Sequence, residues 1–154
     1  MKILVGQNHL HTIGGTETFT YTLIKELVRQ GHEVELATFY MGLLSNKIEE
    51  DFSIKPNRLT NNYDLSLVNH NPVVEMIREL GIRTKKLIQT SHGFHEMERP
   101  SSKADIIVAI SEEVSKSVEG LGFEKPSVIL NWVNCERFNI RTELNPQIKN
   151  ILSL

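Results

Sequence analysis

The stretch Gly14-Gly15-Thr16-Glu17 joins the two patterns that decide the fold. Before it, residues 1–7 (MKILVGQ) carry a short apolar run, typical of a strand buried on both faces of a parallel sheet. After it, apolar residues recur at helical spacing to about Gln30, where Gly31 can end the helix. The paired glycines allow a sharp bend, and the free amides and positive dipole end of the helix favour a bound phosphate or other anion. This stretch therefore predicts a strand, a turn that can seat an anion, and a helix.

Strand and helix patterns alternate along the rest of the chain. Apolar runs predict strands at 33–38, 65–68, 86–90, 106–110 and 128–130. Two more helices are predicted, one capped by Asn71 and one capped by Ser111. Residues 41–63 give a poor signal, with only a short strand around 52–54. Because parallel neighbours need crossover connections, the alternation predicts a doubly wound, mostly parallel α/β sheet with helices on both faces.

Charge and length limit the class of partner. The 154 residues amount to one ordinary domain, and 17 basic against 19 acidic residues give a net charge of −2. Without a basic block, nucleic acid is not an expected partner. A peripheral membrane contact through a basic patch remains an alternative to an ordinary solvated face. The cations of that patch are Arg78, Arg83, Lys85 and Lys86.

Location is predicted from the single cysteine and the amino terminus. Cys135 has no second cysteine for an internal disulfide, which suits a reducing compartment. The apolar run at residues 3–5 is too short for a signal peptide or a membrane span. We therefore expect a cytoplasmic protein.

Polar side chains cluster where the predicted strands end. They are Asn8, His9, His11, Asn69, His70, Ser91, His92 and His95. Ligands on doubly wound sheets bind beyond the carboxyl ends of the strands, so five of the six histidines are expected at one site. Histidine can hold a sugar hydroxyl, donate to a phosphate, shuttle a proton or bind a metal, which leaves the reaction open. His32 is expected at the opposite edge, with a structural role.

The glycine spacing argues against two classes of nucleotide enzyme. Gly6 is separated from Gly14 by seven residues, so the Gly-x-Gly-x-x-Gly fingerprint of dinucleotide-binding folds is absent. A Walker-type phosphate loop is absent as well. These absences count against enzymes that use NAD or ATP.

Several segments, taken in order, resemble the amino-terminal half of family 4 glycosyltransferases with the GT-B fold. They are Gly14-Gly15-Thr16-Glu17, Gly31-His32-Glu33-Val34, residues 103–111 (KADIIVAIS), and residues 128–134 (VILNWVN) followed by Arg137-Phe138. Trp132 and Asn134 stand where that family usually has glycine and aspartate. Trp132 would either fill core or stack on a face between domains.

The resemblance implies a Rossmann-like acceptor-binding domain over residues 1–140. Residues 141–154 would then be a linker and the truncated first strand of a missing carboxyl-terminal donor-binding domain. The full enzyme would transfer a sugar from a UDP- or GDP-sugar to an acceptor with retention of configuration. The acceptor would be a glycan, a lipid-linked saccharide or a small molecule. This domain alone would bind no cofactor and would be inactive.

The resemblance also implies roles for individual residues. His92 would face the transferred sugar as the catalytic residue, and His70 would line the acceptor pocket. Gly14 and Gly15 would bring backbone amides to the donor phosphate or sugar. Thr16, Asn8 and His11 complete the expected substrate- and donor-binding set, with no metal ligand among them.

Two other classes of function remain open from the residues. A metal-dependent hydrolase would use imidazoles at ligand spacing, with Glu96 or Glu98 as the carboxylate. Those imidazoles are His9, His11, His70, His92 and His95. The other class is a non-catalytic binding module built on the same sheet.

Overall fold

The computed structural model describes residues 1–131. The expectations for Trp132, for the domain boundary at residue 140 and for the linker at 141–154 lie outside these residues. The strands are β1 Lys2–Gly6, β2 Glu33–Ala37, β3 Asn62–Tyr63, β4 Leu65–Val68, β5 Arg83–Thr84, β6 Leu87–Ser91, β7 Ile106–Ala109 and β8 Ser127–Val128. The helices are α1 Gly15–Arg29, α2 Leu43–Phe52, α3 Asn71–Glu79 and α4 Glu112–Gly120, with a 3-10 turn at Glu96–Glu98.

Six strands form one parallel sheet in the order β2-β1-β4-β6-β7-β8. Strands β3 and β5 form a separate parallel pair. Helices α1 and α2 pack on one face of the large sheet, and α3 and α4 pack on the other. The predicted doubly wound α/β fold, Rossmann-like in architecture, is therefore confirmed.

The alternation of side chains along β1 divides the core into two layers. Ile3 and Val5 pack with Ile24 of α1, whereas Leu4 between them packs with Val73 and Ile77 of α3. All of these side chains are buried. A strand with apolar residues on both sides needs helices on both sides, which explains the continuous apolar run at the amino terminus.

An apolar groove lies between α1 and strands β4, β6 and β7. Its volume is about 180 Å³, and it is lined by Phe19, Leu23, Leu67, Asn69, Ile88, Thr90, Val108, Ile110 and Ile129. Ile106, on the same side of the sheet as Val108, is 41% exposed. The most apolar predicted strand, 106–110, is therefore not the most buried strand among the residues described.

The structure corrects four local predictions. Residues 43–52 form α2, where only a short strand at 52–54 was predicted within a segment of poor signal. His70, not Asn71, is the cap of α3, so Asn71 is already helical. The last described strand, predicted at 128–130, covers only Ser127–Val128, and the strand predicted at 86–90 runs from Leu87 to Ser91.

Candidate functional site

The site lies where the connections of the sheet change direction. The chain leaves β1 toward β2 on one side, whereas β4, on the other side of β1, leads on toward β6. At such a switch point the loops after the two central strands separate and leave a crevice at their carboxyl ends. In this protein those loops begin at Gln7 and Asn69.

Hydrogen bonds join the two loops across the crevice. The backbone amide of Asn8 donates to Nδ1 of His70 over 3.4 Å. The side-chain amide of Asn69 donates to Oε1 of Gln7 over 2.8 Å. All four residues are buried. The crevice therefore has a fixed polar floor.

The start of α1 forms one wall. Its first intrahelical bond runs from the amide of Thr18 to the carbonyl of Gly14 over 3.0 Å, so the amides of Gly15, Thr16 and Glu17 have no partner within the helix. Nε2 of Gln7 donates to Oγ1 of Thr16 over 3.3 Å, which ties this wall to the floor.

The paired glycines do not make the sharp bend that the sequence suggested. Gly14 has φ −128° and ψ −173°, which is ordinary extended backbone, and Gly15 is the first residue of the helix. A Cβ at Gly15 would meet no described atom within 4 Å, whereas one at Gly14 would meet the carboxylate of Glu17. The chain's own carboxylate thus lies at the helix start where an anion was expected.

His92 lies beside the crevice, after β6. Its Nε2 is 3.2 Å from Oδ1 of Asn69. The ring of Phe19 contacts it edge-on, with the centroids 4.6 Å apart. Burial, and to a smaller degree the nearby charge of His70, lower the pKa of His92 to about 4. The imidazole is therefore neutral at pH 7.

His70 is in a similar electrostatic state. Burial is the main cause that lowers its pKa to about 4; the charge of His9 lowers it further, and that of Glu17 opposes the shift. Two neutral imidazoles and a helix start therefore share one surface.

Of the remaining histidines, some join the ring contacts around His9 and the others lie apart from them. His9 stacks on Tyr40 at 5.0 Å, and its ring centroid is 5.6 Å from that of His11 and 6.2 Å from that of His70. His95 lies apart from these ring contacts, exposed at the start of the 3-10 turn. His32 is 3.4 Å from the amino-terminal nitrogen of Met1, at the opposite edge of the sheet as predicted.

Comparison with protein-family models and with curated proteins found no match. The chemistry of the site has to be inferred from its geometry.

Metal binding gains no support from this geometry. In residues 1–131, no three histidine, cysteine, aspartate or glutamate side chains are placed to hold one metal ion. The ring of His9 lies 5.6 Å from that of His11 and 6.2 Å from that of His70, nearly perpendicular to the latter, which is the geometry of aromatic packing.

The basic residues considered for membrane contact lie away from the site. Arg83 and Lys86 precede β6, at the amino edge of the sheet. Lys85 pairs with Asp64 at 2.6 Å, and Arg78 donates to the carbonyl of Lys103 and pairs with Asp105. None of the described helices has the length and apolarity required to cross a bilayer.

Sequence reasoning missed three residues that build the site. Gln7 and Thr20 are fully buried and hydrogen-bonded beneath the crevice, and Tyr40 covers His9. The signals were present, because a glutamine ends a buried strand and a threonine interrupts the apolar stripe of α1. Buried polar groups are satisfied by one another, so each of the two predicts a partner.

Proposed function

We propose that the chain is the acceptor-binding domain of a retaining glycosyltransferase with the GT-B fold. The full enzyme would transfer a sugar from a UDP- or GDP-sugar to a glycan, a lipid-linked saccharide or a small-molecule acceptor. The nucleotide would be held mainly by a carboxyl-terminal donor-binding domain, the chief partner of this one.

One observation carries the proposal. The loops after β1, β4 and β6 and the start of α1 meet at the switch point of the sheet, with His70 and His92 neutral between them. A neutral imidazole is better suited to bind a sugar hydroxyl than to bind a metal-bound water or a permanent anion. The open space at Gly15 adds support, because a ligand can approach the backbone there without meeting a side chain.

The physics of glycosyl transfer matches these groups. The transition state is oxocarbenium-like, and negative charge builds on the leaving phosphate. Backbone amides at a helix start stabilise such charge without reorganising. Gly14, Gly15 and Thr16 would supply this stabilisation once Glu17 turns away from Gly14. Asn8, His11 and His70 would then contact the acceptor side, and His92 the transferred sugar.

The test is His92→Ala in the full-length protein, assayed for transfer from UDP- and GDP-hexoses. We expect a loss of transfer of about 100-fold or more, with nucleotide binding nearly intact, because the second domain holds the nucleotide. His32→Ala, which removes an imidazole at the opposite edge, is the matched control and should transfer normally.

Loss of nucleotide affinity with normal turnover at saturation would contradict the place given to His92. A full-length protein that binds saccharide but transfers nothing from any nucleotide sugar would favour the binding module instead.

A further inference from the structure

A chain of buried and half-buried hydrogen bonds runs from the start of α1 to His92. Oγ1 of Thr16 donates to the carboxylate of Glu17 over 3.1 Å and accepts from Nε2 of Gln7 over 3.3 Å. Oε1 of Gln7 accepts from the amide nitrogen of Asn69 over 2.8 Å. Oδ1 of Asn69 then faces Nε2 of His92 at 3.2 Å. The orientation of each side-chain amide therefore fixes which atom of the next residue donates and which accepts.

The carboxylate of Glu17 and the backbone carbonyl of Thr16 set the direction of these hydrogen bonds. The carboxylate of Glu17 can only accept from Thr16, so Thr16 must accept from the nitrogen of Gln7. The hydroxyl of Thr20 donates to the backbone carbonyl of Thr16 over 2.8 Å, and in this arrangement its Oγ1 accepts from the nitrogen of Asn69, also over 2.8 Å.

The opposite orientation of Asn69 would place its carbonyl oxygen against Oε1 of Gln7, so that two buried acceptors would meet. It would also require the hydroxyl of Thr20 to turn from the carbonyl of Thr16 toward Asn69. Unpaired buried polar atoms cost about 1–3 kcal/mol each. The oxygen of Asn69 therefore points at His92, and it requires a hydrogen on Nε2.

We propose that Asn69 is a positioning residue that holds the imidazole of His92 with its hydrogen on Nε2, so that Nδ1 is offered to the ligand as a hydrogen-bond acceptor. This inference rests on the proposed function for the identity of the ligand. It deepens that function by naming the group recognised, a sugar hydroxyl that donates to Nδ1. A neutral imidazole in this state gives no hydrogen bond to a phosphate from Nδ1.

The first experiment measures the tautomer in the 154-residue chain at pH 7, by long-range ¹H–¹⁵N correlation of the His92 ring, with assignment by His92→Gln. We expect Nε2 to have the shift of a protonated nitrogen and Nδ1 that of an unprotonated one. A hydrogen on Nδ1, or an even mixture, would overturn the proposal.

Two variants of Asn69 separate positioning from a merely structural role. Asn69→Asp keeps an oxygen acceptor for Nε2 and adds a negative charge, so the pKa of His92 should rise by about one unit or more, against the opposing charge of His70. Asn69→Ala removes the acceptor, so both tautomers should be populated. Gln89→Ala, a change of another buried amide whose bonds go to Arg99 and Ser101, is the control and should alter neither property.

An unchanged tautomer in Asn69→Ala together with an unchanged pKa in Asn69→Asp would overturn the positioning role. If Asn69→Ala does not fold, the wild-type tautomer and the aspartate variant still decide. These measurements need no substrate, so a wrong tautomer would refute the role of Asn69 alone. An inactive full-length enzyme with the expected tautomer would refute only the proposed transfer.

Discussion

At the scale of single residues, two glycines near the site have opposite reasons to lack a side chain. A Cβ at Gly6 would lie 2.8 Å from Cγ1 of Val73 and 3.1 Å from Cγ2 of Val68. Both valines are fully buried and branched, so neither has room to turn away. Gly6 is therefore required by the close approach of α3 to β1. Gly15 has no such neighbour among the described residues.

The two glycines give a matched pair of variants. Gly6→Ala should lower the free energy of unfolding by about 1–3 kcal/mol, because it overpacks the core beside Val73. Gly15→Ala should leave it unchanged or raise it by about 0.5–1 kcal/mol, because alanine is a better helix residue. Urea denaturation of both chains measures the difference. A large loss in Gly15→Ala would show that packing, rather than access for a ligand, explains that glycine.

At the scale of elements, capping explains why some helices were predicted and one was missed. Ser111 caps α4, and its hydroxyl accepts from the amide of Val114 over 3.3 Å, as the sequence predicted. Helix α2 begins after Gly42, which offers no side-chain cap; instead, its own amide donates to Ser45 over 2.8 Å. The apolar stripe of this helix is limited to Leu44, Ile48 and Phe52, spaced four residues apart and packed in one core cluster.

The cap of α4 can be tested by itself. Ser111→Ala should lower the free energy of unfolding by about 1 kcal/mol, because an amide at the helix start loses its acceptor. Ser111→Asp keeps an acceptor and should lose little. Urea denaturation of the three proteins is the measurement. Equal losses in the two variants would mean that Ser111 stabilises the protein by something other than capping.

At the scale of the whole molecule, burial of two neutral imidazoles links folding to pH. The pKa of His70 and that of His92 are each lowered from 6.5 to about 4 in the folded protein, chiefly by burial. The unfolded chain therefore binds protons first as the pH falls. The stability that the two neutral imidazoles contribute is fully present above about pH 6.5 and is lost progressively toward pH 4.

We expect the free energy of unfolding to fall by about 2 kcal/mol for each of the two histidines as the pH drops from 7 to 5. Urea denaturation at the two pH values measures the loss. The window lies above the ordinary range of carboxyl groups, which keeps their titration out of the comparison. The double variant His70→Gln, His92→Gln should be much less sensitive to pH. A wild-type stability that is flat from pH 7 to pH 5 would refute the burial of these groups in neutral form.

Much of the molecule followed from the local pattern of its sequence. Short apolar runs alternating with amphipathic stretches determined the parallel α/β sheet, because a strand buried on both faces can be covered only by crossover helices. The same alternation placed His9, His11, His70 and His92 at one edge. Side-chain period and strand polarity are local properties, so the order of residues was sufficient for both.

The tertiary structure alone decided how those residues act. Thr20 and Asn69 are 49 positions apart, and only the packing of α1 on the sheet brings their side chains to 2.8 Å. The neutrality of His70 and His92 depends on burial by segments distant in the chain. The exposure of Ile106 likewise depends on how distant segments pack. Desolvation and hydrogen-bond direction are set by neighbours in space, and these exist only once the chain has folded.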